Sequence, residues 1–241
     1  MRTTGAIKEL LQKKELDSTL LDIYLDEGCL DYQRQRYIDA LTMYEELYGT
    51  GEVSIFSAPG RSEIGGNHTD HQHGEVLAAS INLDAIAITS PVTEPVVRVV
   101  SDGYDRITVS LEDLTVKEEL KGTTVSLIRG VLKGIKNHGG RIGGFQAYIT
   151  SDVLIGAGLS SSAAFETLIG TIVSGLYHNR NLSPVDIAII GQYAENIHFG
   201  KPSGLMDQMA SSVGNLVHID FADVAHPAIE NVSCDLARYG Y

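Results

Sequence analysis

One stretch constrains this chain more than any other: Val153-Leu154-Ile155-Gly156-Ala157-Gly158-Leu159-Ser160-Ser161-Ser162-Ala163-Ala164. Before it, Phe145–Thr150 alternates like a half-buried strand. After it, Phe165, Leu168, Ile169, Ile172, Val173 and Leu176 fall at helical spacing and give one apolar face. Strand, glycine-rich loop, helix is an arrangement that binds phosphate. Glycines let the backbone approach an anion, exposed N–H groups point at it, and the helix dipole favours negative charge. Serine hydroxyls add hydrogen bonds or hold a metal ion. The same residues also suit a serine-capped helix after an ordinary glycine turn, although one serine suffices as a cap. The stretch is neither Gly-x-Gly-x-x-Gly nor a P-loop. It contains no lysine, so backbone, hydroxyls and a metal would have to balance phosphate charge.

Charge narrows the partners. Acidic residues number 31 against 18 basic ones, a net −13, which disfavours nucleic acid and anionic membrane. An anionic ligand must then be held by local features. Hydrophobic content of 43% suits a globular protein with a real core. The two cysteines, Cys29 and Cys234, imply no disulfide framework and fit a reducing compartment. The N-terminus leads into a charged helix rather than an apolar signal region, and no uncharged apolar run approaches membrane-spanning length. The expected location is the cytoplasm.

Residues 6–16 and 31–48 read as charged helices, the second carrying Tyr37, Leu41, Tyr44 and Leu47 and ending at Gly49 and Gly51. This front end either packs on the main body or extends loosely from it. Val53–Ser57 reads as a strand ending at Ala58-Pro59-Gly60-Arg61, followed by a polar, histidine-rich loop over residues 62–74. Short strands are expected over 76–81, 85–90, 96–100 and 106–110, a helix over 123–137, and another opened by Ser183-Pro184-Val185-Asp186. Ile187, Ile190, Ala194 and Ile197 mark that helix's buried stripe. A short helix over 205–213 and a strand over 216–220 follow, and residues 221–241 carry no obvious stop.

Three polar constellations offer chemistry. Arg61 precedes Asn67-His68-Thr69-Asp70-His71-Gln72-His73, whose groups suit a small polyhydroxylated ligand better than a zinc ion, and also suit a plain solvated loop. Glu195, near a helix C-terminus, is disfavoured by the dipole, so it is either exposed or compensated, as bound Mg²⁺ would do. Asp207 stands among Leu205, Met206 and Met209, where a carboxylate close to an arginine can be a poised base, or merely a cap.

Taken in order, Ala58-Pro-Gly-Arg61, Ile64-Gly65, His68-Thr69-Asp70, Gly156-Ala-Gly-Leu-Ser-Ser-Ser-Ala-Ala164, Ala194-Glu195 and Gly204-Leu-Met-Asp-Gln208 resemble the galactokinases, members of the GHMP small-molecule kinase superfamily. The resemblance runs from about residue 30 to 220. It implies an α+β fold, the GHMP kinase N-terminal domain of the ribosomal protein S5 domain 2-like kind, with helices packed on a mixed sheet. That domain would span residues 46–241, with residues 1–45 a helical extension. It implies that Gly156, Ala157, Gly158, Leu159, Ser160, Ser161, Ser162 and Ala163 wrap the ATP phosphates, and that Ser162 and Glu195 hold Mg²⁺. Asp207 would take the proton from the sugar C1 hydroxyl. Arg61 would hold that carboxylate charged and stabilise the attacking oxygen. Asn67, His68, Asp70 and Gly204 would meet the sugar. The implied partners are ATP and a monosaccharide, and the implied activity is that of an ATP-dependent sugar 1-kinase.

The departures point the same way for the reaction and elsewhere for the sugar. Glu63 stands where the family has Asn, Asn67 replaces Glu, His71 replaces Tyr, Leu154 replaces Pro and Asn196 replaces His. Asn67 donates as well as accepts, so the sugar need not be galactose: another hexose or an N-acetylhexosamine is the alternative within the kinases. A non-catalytic sugar and ATP sensor is the alternative outside them. The family's C-terminal domain, with a third glycine-rich motif, finds no match here, and the expectation is poor or absent turnover by these 241 residues alone.

Overall fold

The computed structural model describes residues 1–178, 181–224 and 226–234. The expected unit ending at residue 241 therefore runs partly outside the described residues. In chain order the elements are β1 (Arg2–Thr3), α1 (Thr4–Gln12), α2 (Asp17–Tyr24), α3 (Leu30–Tyr48), β2 (Glu52–Gly65), β3 (Glu75–Val92), β4 (Val96–Ser101), β5 (Ile107–Ser110), α4 (Thr124–Asn137), β6 (Gly144–Ser151), α5 (Ser161–Tyr177), α6 (Pro184–Tyr193), α7 (Met206–Val213), β7 (Leu216–Asp220) and β8 (Ala228–Asn231). The fold is the expected α+β arrangement, one mixed sheet with helices packed on it.

The sheet runs β1-β2-β3-β6-β4-β5, with β7 and β8 continuing from the first half of β3. Pairing is antiparallel except between β4 and β6. Strand alternation distributes the core. Ala85 and Ala87 of β3 face α4 and α5, and pack with Phe145, Ala147, Ile128, Leu168 and Ile172. Ile86 and Ile88, pointing the other way, pack with Tyr148 and with Leu11, Leu20, Tyr24, Tyr37, Leu41 and Tyr44 of α1–α3. The front helices thus cover the second face of the sheet. Their attachment continues in β1, where Arg2 pairs with Val53. A third cluster, with Val76, Ala78, Met206, Met209, Val217 and Ile219, seats α7 on β3 and β7.

Three local expectations are corrected. The strand through Val53–Ser57 does not stop at Ala58-Pro59; β2 continues to Gly65, and a register shift between Pro59 and Arg61 accommodates the residue that cannot donate. The two short strands over 76–81 and 85–90 are one, because Asp84, in the gap between them, is held in place by Arg36. Ile197 is exposed rather than buried, because α6 passes at Ala194 into a π-turn (Ala194–Phe199), whose wider turn rotates later residues off the stripe. No helix among the described residues is long and apolar enough to cross a membrane.

Candidate active site

β2, the loop over residues 152–160, α5, the π-turn and α7 converge on one surface. Arg61 lies in β2, 6% exposed. Its backbone N–H donates to Leu159 O at 3.1 Å, and its guanidinium donates from Nη1 to Gly158 O at 2.5 Å. Strand and loop lie so close at Gly60 that a Cβ there would sit 2.8 Å from Leu159 O. Arg61 Nε donates to Asp207 Oδ1 at 2.7 Å, across 146 residues of sequence.

Asp207 stands in the first turn of α7, where the helix dipole favours its charge. Its other oxygen accepts from the Ser160 hydroxyl. Ser160 occupies the position before α5 in a left-handed conformation (φ 55°, ψ 58°) and makes no cap bond. The capping alternative therefore gives way: the side chain is spent on Asp207. The first N–H groups of α5, belonging to Ser161, Ser162 and Ala163, lack intrahelical acceptors by their position, and such an end can receive an anion. Gly156 and Gly158 both take φ +76°, and residues 154–158 are exposed.

The second half of the site is acidic. Glu195, on the π-turn, is 3% exposed, and it is compensated rather than solvated. Lys201 Nζ reaches its Oε1 at 3.0 Å, Gln208 Nε2 donates to Oε2 at 2.9 Å, and the Ser162 hydroxyl lies 3.5 Å from Oε1. Lys201 is 61% exposed, so a solvent-accessible ammonium stands beside the buried carboxylate. Two hard oxygen donors, one hydroxyl and one carboxylate, fit Mg²⁺, which takes few protein ligands and completes its shell with water and phosphate. Among the described residues no group of three His, Cys, Asp or Glu side chains is placed to hold a metal by itself.

The polar loop supplies the remaining wall. Asp70 is 6% exposed; its Oδ2 accepts from Met206 N at 3.1 Å and so caps α7 from outside that helix. Gly204 packs against the same carboxylate, and a Cβ there would lie 1.7 Å from Oδ2. Asn67 and His68 are exposed, both at positive φ (57° and 53°). Glu63 holds that strained pair: its Oε1 accepts from His68 N at 2.8 Å, and its Oε2 meets the His68 ring. Asn196 pins the 200–205 turn by a two-way bond with Ser203.

Arg61, Asp207, Ser160, Gly158, Ser162 and Glu195 are therefore brought together, Asp70 and Gly204 adjoin them through α7, and Asn67 and His68 stand at the exposed edge. Sequence reasoning overlooked Glu166 and gave Gln208 no role. Glu166 is fully buried under the site, accepts from Gln208 at 3.1 Å and has one oxygen without a partner. Burial, and then the charge of Glu195, push its carboxyl well above the usual range. Its signal was present: a carboxylate four residues after Ser162, on the same face of an otherwise apolar helix.

Residues 42–91 match the family model described as the galactokinase galactose-binding signature, and residues 126–215 match that of the GHMP kinases N terminal domain. Among solved structures, the galactokinase of Lactococcus lactis, determined in complex with galactose, superposes with a TM-score of 0.72 at 27% identity, over 80% of this chain and 51% of that one. The mevalonate kinase of Methanococcus jannaschii shares the fold with a TM-score of 0.63 at 18% identity, over 78% of this chain and 58% of that one. The chain thus spans between half and three-fifths of the length of these structures. The fold is that of the GHMP kinase N-terminal domain, and the two matches follow each other along the chain, the galactose-binding signature first.

Proposed function

We propose that this chain carries the sugar-binding and phosphate-binding parts of an ATP-dependent kinase acting on the anomeric hydroxyl of galactose or a related monosaccharide. The observation that supports this most is the Asp207 carboxylate. It is oriented by Arg61 and by Ser160 of the glycine-serine loop, yet its side chain keeps 33% of its surface open. A carboxylate fixed on one side and free on the other can accept a proton from a hydroxyl brought to it.

In this reading the C1 oxygen of the sugar attacks the γ-phosphorus of ATP. Its proton passes to Asp207, the bond to the β–γ bridging oxygen breaks, and ADP leaves. Arg61 steadies Asp207 and offers positive charge to the attacking oxygen. The N–H groups and hydroxyls of residues 156–163 hold the phosphates, so that the reaction is promoted chiefly by positioning and charge complementarity. Magnesium held by Ser162 and Glu195 would neutralise charge on the β- and γ-oxygens. Asp70, Gly204, Asn67 and His68 form the sugar-facing wall.

A second reading concerns the sugar. Asn67 stands at an exposed, strained position where a family carboxylate is usual, and its neutral amide suits another hexose or an N-acetylhexosamine. Release of ADP by the full-length protein, measured with galactose, glucose, N-acetylgalactosamine and N-acetylglucosamine, tests both readings. One sugar is expected to stimulate release well above the sugar-free rate. Calorimetric binding of ATP and sugar with no stimulation by any of them would replace the kinase with a sensor.

A further inference from the structure

The loop that the proposed function assigns to ATP is fastened at two ends, by different parts of the molecule. The rear end is the one already described, where Gly158, Leu159 and Ser160 meet Arg61 and Asp207. The front end begins at Asp152, separated from the exposed turn only by the buried Val153. Its backbone N–H donates to Asp84 O at 2.9 Å, which ties the stem to β3. Its side chain is held by α3, which belongs to the layer on the other face of the sheet. Tyr32 OH donates to Asp152 Oδ1 at 2.9 Å, and Arg36 Nη1 lies 3.1 Å from Oδ2. Arg36 is itself fixed, through 2.6 Å and 2.8 Å bonds to Asp84 Oδ1 and O. Neither Tyr32 nor Arg36 touches the surface on which Asp207, Ser162 and Glu195 converge.

We infer that Asp152 is the front anchor of the nucleotide loop and that Tyr32 and Arg36 are positioning residues that set it, so that the front helices tune nucleotide affinity without contacting nucleotide. This rests on the proposed function for its ligand, though not for the anchor itself. Residues 154–158 form a short, exposed span between two clamps, containing two glycines at φ +76°. Loosening either clamp lets that span sample more conformations, and a ligand that needs one of them then binds more weakly. Arg36 is also buried scaffold, whereas Tyr32 is 56% exposed and its hydroxyl serves Asp152. Tyr32→Phe therefore separates anchoring from folding.

Two measurements test this. In the ligand-free chain, thermolysin cleavage at Leu154–Ile155, both exposed, reports the mobility of the span. Tyr32→Phe and Asp152→Ala are each expected to speed that cleavage, with the Tyr32→Phe melting temperature unchanged, and the double variant no faster than Asp152→Ala alone. In the full-length protein, Tyr32→Phe is expected to raise the KM for Mg·ATP about threefold, the share of one hydrogen bond, leaving kcat and the sugar KM unmoved. Unchanged cleavage, or parallel changes in both KM values with a lower melting temperature, overturns the anchor. Faster cleavage in a protein that binds no nucleotide keeps the anchor and removes the kinase reading.

Discussion

Two arginine–aspartate pairs, one on each side of the sheet, show how the same two residue types are put to different uses. Arg36 and Asp84 are 5% and 3% exposed, and Asp84 accepts from Arg36, from Tyr24 at 3.0 Å and from Ser57. No face of that carboxylate is left for a ligand. The side chains of Arg61 and Asp207 are 7% and 33% exposed, and the carboxylate has one arginine nitrogen and one serine hydroxyl. A closed pair joins layers; a half-open pair offers a lone pair to whatever enters. The difference lies in where the aspartate sits. Asp84 is mid-strand beneath a helix layer, whereas Asp207 is in the first turn of a helix whose amide is capped by another residue, Asp70.

The largest effect should separate the pairs by kind. Asp207→Ala in the full-length protein is expected to lower kcat for sugar phosphorylation by about 10²–10⁴-fold, the usual contribution of a positioned base. Its melting temperature should fall less than that of an Asp84 variant, because Asp207 is partly solvated, although Arg61 loses its carboxylate. Asp84→Ala should leave the proposed chemistry intact but destabilise the chain by about 3–5 kcal/mol, since it takes the innermost carboxylate from a buried guanidinium and an acceptor from Tyr24 and Ser57. Chemical denaturation of both variants beside an ADP-release assay is the check. A folded, stable Asp84→Ala protein, or an Asp207→Ala enzyme with unchanged kcat, would erase the distinction.

A smaller change tests what keeps the Asp207 side open. Gly204→Ala places a methyl group against Asp70, with a separation no real Cβ attains, so Asp70 or the 200–205 turn has to move. Since Asp70 also caps the helix of Asp207, the expected cost is about 1–2 kcal/mol of stability together with weaker sugar binding. Thermal melts and sugar titrations measure the two separately; sugar affinity that survives intact would detach Asp70 and Gly204 from the sugar wall.

Much of this was legible before any coordinates. The run Gly156–Ala164 named its own strand and helix, and the Ser183 cap and the stripes of α3 and α5 announced themselves by spacing. What escaped depends on partners remote in sequence. The gap left between the strands over 76–81 and 85–90 closes only when Arg36, 48 residues before Asp84, is brought to it. Glu195 reads as an awkward helix-end acid until Lys201 and Gln208 close on it, and Glu63 reads as a departure until it is seen bracing His68. The π-turn that exposes Ile197 leaves no mark in the hydrophobic pattern.

A pH-dependent effect concerns Glu166, which is buried like Asp84 but has no guanidinium. One of its oxygens has no partner, and an ionised oxygen so placed is costly. Burial, then the charge of Glu195, raises its folded pKa well above the ordinary value of 4.5. The sign follows from proton counting. Below 4.5 both folded and unfolded chains are protonated here, and the contribution to stability is fully present. As pH rises, the unfolded chain releases the proton while the folded one keeps it, so stability declines until the folded pKa is passed. Glu166→Gln cannot titrate, keeps the shape and retains an acceptor for Gln208. In metal-free buffer its melting temperature relative to the parent chain should therefore climb from pH 5 to pH 8. A difference that stays constant across that range would place Glu166 with Asp84 as scaffold, and would make closure rather than charge balance the feature that separates scaffold from site.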